Sequence, residues 1–216
     1  MFEGFSPETV DFLWGIRMNN NREWFMEHKQ DYIRYLYEPM KALAAEISEP
    51  FIKQPGMICK TSRIYRDMRI PQPVPYKESL WTCIRQDSKW WMQEPCLCFE
   101  IMPEGYRYGF LLYAPPVAVM NALRAKIAAG PDAFLKLLRT AEKKSGIPVT
   151  GDEYVRKRPC PDERLDRIFQ LKNLCAIREE PVSEKLFSPE LAAEVRETLK
   201  AFYPLLRYCQ NLTSEN

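Results

Sequence analysis

The sequence is poor in the residues and motifs that mark familiar chemistry. His28 is its single histidine among 216 residues. A Ser-His-Asp or Cys-His nucleophilic system could use only that ring, and a histidine-rich metal site is excluded. Its place after Trp24 and Phe25 reads as a packed or partly exposed ring. Neither the G-x-G-x-x-G nor the G-x-x-x-x-G-K-[ST] pattern occurs, so the usual dinucleotide and P-loop cradles are missing. No stretch approaches the ~20 apolar residues of a membrane helix. Met1-Phe2-Glu3-Gly4-Phe5 lacks the basic segment and apolar run of a secretory signal. These features lead us to expect a cytoplasmic chain with no membrane partner. Glycine is scarce, 8 against 18 prolines, so the chain is broken by stiff joints more than by flexible ones.

What is present is ordinary globular composition, 46% hydrophobic and 28% charged. A chain of this length can bury about 70% of its unfolded surface. It needs neither metal nor disulfide to fold, and no cofactor is expected. The seven cysteines are odd in number and suit free thiols in a reducing compartment. Cys96 and Cys98 lack the second pair of a zinc site and read as small packing residues. The net charge of +2 excludes a strongly basic nucleic-acid protein as the default.

The pattern predicts a single α+β domain over 1–216. Its small antiparallel sheet, in the middle of the chain, packs against N-terminal and C-terminal helices: a helical part (1–53), a sheet (57–113) and a mostly helical part (115–210). Ser6-Pro7-Glu8 reads as a capped helix start, and Ser188-Pro189-Glu190 repeats it. Asn19-Asn20-Asn21 ends one helix and starts the next. Pro39 bends or restarts that second helix, whose apolar stripe runs to Pro50. Residues 62–70 alternate with period two and predict a strand, with Arg63, Tyr65, Asp67 and Arg69 on one face and Ile64, Arg66, Met68 and Ile70 on the other. The prolines at 71, 73 and 75 make the following stretch an extended loop. Residues 80–85, 96–102, 107–113 and 173–178 read as further strands. Pro115-Pro116 opens a helix closed by Gly130, Pro131 opens another, 154–158 is extended and 162–171 helical.

The charge is unevenly placed. Residues 53–89 hold eight basic groups and three acids, a local excess of +5 against −3 elsewhere. Side chains two apart on a strand lie about 6.6–7 Å apart. Arg63 and Arg69 then flank Tyr65 and Asp67, and the arginine fork suits phosphate or carboxylate. Asp67 could fix one fork and leave another free, while Tyr76 and Lys77 fold back across the end. The competing reading is a salt-bridged sheet surface, each pair worth about 0–1 kcal/mol. Trp90-Trp91 could stack on a base or pack in a hairpin.

Three blocks carry a resemblance. Asn19-Asn20-Asn21-Arg22-Glu23-Trp24-Phe25 with His28-Lys29 and Tyr32, then Arg63-Ile64-Tyr65-Arg66-Asp67-Met68-Arg69, then Pro75-Tyr76-Lys77, resemble the family of uncharacterised conserved proteins called DUF2461. The likeness spans nearly the whole chain and includes Gly109, Arg124 and Leu171-Lys172. The typical form of the central block runs R-I-Y-R-D-x-R-F-S-K-D-K-x-P-Y-K. Here Ile70-Pro71-Gln72-Pro73-Val74 stands in place of its S-K-D-K portion, which removes two lysines and an aspartate. The resemblance carries no established activity.

Three functions follow as expectations. The first is a binding module for a small anionic ligand, with Arg63, Arg69 and Lys77 on the anion, Asp67 orienting an arginine and Tyr65 or Tyr76 lining the pocket. Arg66, Asn20, Arg22 and Trp24 complete this candidate set. The second is an enzyme on an anionic substrate with Asp67 or Tyr65 in acid–base roles. The third is a nucleic-acid contact surface built from the basic groups and the interleaved aromatics.

Overall fold

Ser6 lies in extended backbone and its N–H donates to Thr9 Oγ1 at 3.2 Å, while Pro7 takes the first helical position of α1 (Pro7–Met18). Proline suits that position because its missing N–H would have no helical partner. Asn19 closes α1, and the Asn21 side chain accepts from Trp24 N at 2.9 Å to cap α2 (Arg22–Glu27). The asparagine triplet thus ends one helix and opens the next. The second helix is more broken than its periodicity implies. After α2 comes the short α3 (Lys29–Asp31), then a π-helical turn at Tyr32–Tyr37, then α4 (Glu38–Ile52). Pro39 sits in the first turn of α4. Pro50 is tolerated inside the helix, which runs two residues beyond it.

The computed structural model describes residues 1–67, 69–89, 91–210 and 212. One antiparallel sheet runs in chain order: β1 (Met57–Thr61), β2 (Leu80–Gln86), β3 (Cys96–Met102), β4 (Gly105–Leu112) and β5 (Leu174–Pro181). The fold is α+β, as the pattern predicts. Period two is plain in β3, where Leu97, Phe99 and Ile101 are buried and Cys96, Cys98 and Glu100 are half-buried. On β4, Tyr106, Tyr108, Phe110 and Leu112 bury one face. Gly109 faces the other way at φ +150°, and a Cβ there would lie 2.0 Å from the Ala176 carbonyl oxygen. Only glycine lets the β4 backbone come this close to β5.

Residues 62–70 are the correction. They form no strand beyond β1. Tyr65 and Tyr76 make one isolated antiparallel bridge. The alternation itself holds from Arg63 to Asp67, with Ile64 buried and Tyr65 half exposed, and it fails at Arg69 and Ile70, both exposed. The reason is the partner segment. Pro71, Pro73 and Pro75 have no N–H to donate, so a ladder cannot propagate past the bridge. Met68 lies outside the described residues.

The contacts fall into two units. The first contains residues 1–84, 98–108 and 179–196. Its core includes an aromatic row, with Phe5 stacked on Phe99 at 6.1 Å and Phe99 on Tyr106 at 5.9 Å. Phe12, Leu13 and Ile16 of α1 are buried in it, as are Met40, Leu43, Ile47 and Phe51 of α4, which packs on β1. The second contains 85–97, 109–178 and 197–216. Here α5 (Val117–Ala129) and α6 (Pro131–Ser145) meet at Gly130, as expected. The predicted helix at 162–171 is only a 3₁₀ turn followed by α7 (Asp166–Phe169). The last helix, α8 (Glu190–Cys209), follows the Ser188-Pro189-Glu190 signature. Its Phe202 stacks on Phe110 at 6.1 Å within the second unit. None of the seven cysteines is in a disulfide.

Candidate functional site

The three sequence blocks of the first unit meet at the Tyr65–Tyr76 bridge. Arg66 N donates to the Pro75 carbonyl at 2.9 Å and Lys77 N to the Ile64 carbonyl at 2.7 Å. With the ladder stopped by proline, the asparagine triplet supplies what a neighbouring strand would. Asn20 Oδ1 accepts from Tyr76 N at 3.0 Å, and Asn20 Nδ2 donates to the Tyr76 carbonyl at 3.1 Å. Arg66 Nε donates to the same carbonyl at 2.8 Å. Both backbone groups of Tyr76 are therefore paired, as a buried segment requires.

An aromatic platform lies beneath. Phe25 stacks on Tyr76 at 4.2 Å and meets Tyr65 edge-on at 5.5 Å. Tyr32 stands 5.6 Å from Phe25, and burial pushes its phenol well above the ordinary value. Phe25 and Tyr32 are members of the site absent from the expected set. Their signal was available: they are seven residues apart on one helical face. Trp24 is placed differently. It stacks on His28 at 4.1 Å and lies 5.6 Å from Phe12. A Cβ on Gly15 would come within 2.6 Å of its ring. Trp24 thus packs α2 against α1, and His28 is a packed ring.

The cations divide into two kinds. Arg69 closes its fork on Asp67, Nε to Oδ1 at 2.9 Å and Nη2 to Oδ2 at 2.6 Å, on an exposed turn. The Arg69 guanidinium holds the Asp67 carboxyl down at about 2. Lys77 and Arg66 are half-buried instead. Lys77 Nζ donates to the Arg63 carbonyl at 2.8 Å and lies 5.5 Å from the Trp81 ring centre. Burial lowers the Lys77 pKa and the nearby Arg66 charge lowers it further, while Glu100 acts in the opposite direction. The charge of Arg22, an exposed residue at the start of α2, reaches the Tyr76 phenol, whose pKa burial raises. Among the described residues, neither Arg66 nor Lys77 has a carboxylate within ion-pair distance, and the Arg22 and Arg63 guanidinium groups make no ion pair.

The geometry therefore gathers Asn20, Arg66, Tyr65, Tyr76 and Lys77, with Arg63 joined through its backbone and Arg22 through its charge. Arg69 and Asp67 are paired with each other. Trp91 is 38% exposed and carries the Arg85 guanidinium 5.2 Å from its ring centre, while Trp90 lies outside the described residues. Among the described residues no group of three or more His, Cys, Asp or Glu could hold a metal ion, and no helix is long and apolar enough to cross a membrane.

The model of a family described as conserved hypothetical protein (DUF2461) matches residues 8–208. No match to the chain is found among curated proteins.

Proposed function

The chain belongs to the DUF2461 family, and from that premise we propose that it binds a small anion, phosphate or carboxylate, beside the Tyr65–Tyr76 bridge. One observation carries this reading: Arg66 and Lys77 are held near each other by backbone carbonyls, with no carboxylate in contact. Like charges in a partly desolvated place cost free energy unless an opposite charge offsets them. An anion bridging the two would supply that charge, with Arg63 and Arg22 adding to the field and Tyr65, half exposed, at the rim. Asn20 acts as a positioning residue, because it holds the Tyr76 backbone that Arg66 also grips.

An acid–base role for Asp67 has less support. A carboxyl held at about 2 is ionised at neutral pH and is a weak base. Binding without turnover is the reading that the cation pair favours.

Thermal unfolding with orthophosphate and with malonate tests it. A ligand at 100 times its Kd adds about 2.7 kcal/mol, roughly 5–11 °C for a chain of this size. At least one of the two anions should raise the Tm by that order. The Arg66→Met/Lys77→Met double variant should lose the shift and keep its own cooperative unfolding. A full shift in that variant, or none with either anion in the wild type, would overturn the reading.

A further inference from the structure

The second unit carries another collection of cations around a tyrosine. Tyr154, Val155, Arg156, Lys157, Arg158, Pro159 and Lys172 line a cleft of about 560 Å³, inside the usual range for small-molecule sites. Three cations surround the Tyr154 ring: the Arg158 guanidinium at 4.3 Å from its centre, Arg124 at 5.1 Å and the Lys172 ammonium at 5.8 Å. Arg124 is buried and spends its donors on neutral oxygens, Nε on the Phe169 carbonyl at 2.9 Å, Nη2 on the Leu171 carbonyl at 2.6 Å and Nη1 on Asn121 Oδ1 at 3.3 Å. Among the described residues, no carboxylate lies within ion-pair distance of it.

The segment is fixed in place. Gln170, only 6% exposed, accepts from Arg158 N at 2.7 Å through Oε1 and donates to the Arg158 carbonyl at 3.0 Å through Nε2. The other Nε2 hydrogen goes to Asp166 Oδ1 at 2.8 Å. Tyr154 N donates to the Gln170 carbonyl at 2.9 Å. Two nearby acids are engaged by side-chain amides, Asp166 by Gln170 and Asp152 Oδ2 by Asn173 Nδ2 at 2.9 Å. Among the described residues, none of Arg124, Arg156, Lys157, Arg158 and Lys172 makes an ion pair.

We propose that this cleft binds a small molecule bearing two or more linked phosphates. Four cations line this hollow, Arg156, Lys157, Arg158 and Lys172, with the buried Arg124 against the Tyr154 ring, and together they exceed what a single phosphate can neutralise. The Tyr154 ring is already occupied by cations, so the ligand is recognised through its phosphates and not by stacking of a base on that ring.

Isothermal titration calorimetry of the full chain with inorganic tripolyphosphate and with orthophosphate tests this. Tripolyphosphate should bind one to one and at least tenfold more tightly than orthophosphate. Arg156→Gln/Lys157→Gln/Lys172→Gln, three exposed residues of the lining, should weaken it tenfold or more with the Tm unchanged. Arg66→Met/Lys77→Met should leave it intact, which separates this cleft from the anion site proposed in the first unit. Absence of tripolyphosphate binding overturns the inference. So do equal affinities for the two anions, indifference to the triple variant, loss in the double variant, or a preference for a single-stranded oligonucleotide over tripolyphosphate.

Discussion

Asn20 and Gln170 perform the same act in two regions. Each uses one side-chain amide to pair both backbone groups of a residue that has no strand beside it, Tyr76 in one case and Arg158 in the other. In both regions proline stands next to the clamped stretch and stops a ladder from doing the work. In both, cations gather near a tyrosine without a carboxylate in contact. The difference is depth. Gln170 is buried and makes a third bond to Asp166, whereas Asn20 is half-buried and makes two. Around Tyr76 two cations, Arg66 and Lys77, are half-buried and held by carbonyls. Around Tyr154 one arginine, Arg124, is buried, Arg158 is half-buried, and Arg156, Lys157 and Lys172 are exposed. A short amide clamp can thus substitute for a strand, and what it displays depends on how far its surroundings are desolvated.

The largest effect should come from Arg124→Leu. It strands the Phe169 and Leu171 carbonyls in a buried place, at about 1–3 kcal/mol each, so urea denaturation should show a loss of about 2–6 kcal/mol. Gln170→Ala should come next, at about 2–3 kcal/mol, and Asn20→Ala below it, at about 1–2 kcal/mol. Equal losses at the two amides would break the comparison, because burial would then not decide the strength of the clamp. Asn20→Asp sharpens it: the carboxylate can accept from Tyr76 N but cannot donate to the Tyr76 carbonyl, so it should recover only part of the loss.

A third test uses pH. The folded Lys77 pKa lies below its ordinary 10.5 because burial and Arg66 disfavour the ammonium. The sign follows: the charged lysine costs the fold stability, and that cost disappears as pH rises through the folded value. Anion affinity at the Tyr65–Tyr76 bridge should therefore fall on alkalinisation already below pH 10.5, and Lys77→Met should abolish this pH dependence.

The smallest effect belongs to Asp67 and Arg69. Their fork is fully exposed, and exposed pairs contribute little. Arg69→Ala should leave the midpoint of urea unfolding nearly unchanged. The Asp67 carboxyl, followed by NMR, should titrate at about 2 in the wild type and rise toward, but not reach, 3.8 in that variant, because the backbone N–H of residue 69 still donates to Oδ1. Whatever stability the pair adds is present above pH 3.8 and lost as pH falls toward 2.

Much of the candidate site was legible in the residues. Arg66, Tyr76 and Lys77 stood out by charge pattern and proline context, and Asn20 by its triplet. Alternation over 62–70 predicts a strand that does not form, because alternation reports which side chains are buried, not whether a partner can pair. Arg69 looked like a ligand group because spacing along a chain cannot reveal that Asp67, two residues away, already closes its fork. Phe25 and Tyr32 were visible as a helical face, but nothing local said that the face would carry Tyr65 and Tyr76. The cleft at Tyr154 had no local signal beyond its basic run, since Lys172 comes from the turn before β5 and the Arg124 against Tyr154 from α5.

Composition, caps and periodicity by themselves determined the class of the fold, the starts of α1, α6 and α8, the break at the asparagines and the four strands β2 to β5, but not β1. These are properties of short stretches, set by which backbone conformations a residue tolerates and which face it can bury. Only the tertiary structure decided which cations lose their carboxylates and which keep them. Charge pairing acts through space over a few ångströms, and residues 20 and 76, or 124 and 154, meet only when the chain has folded.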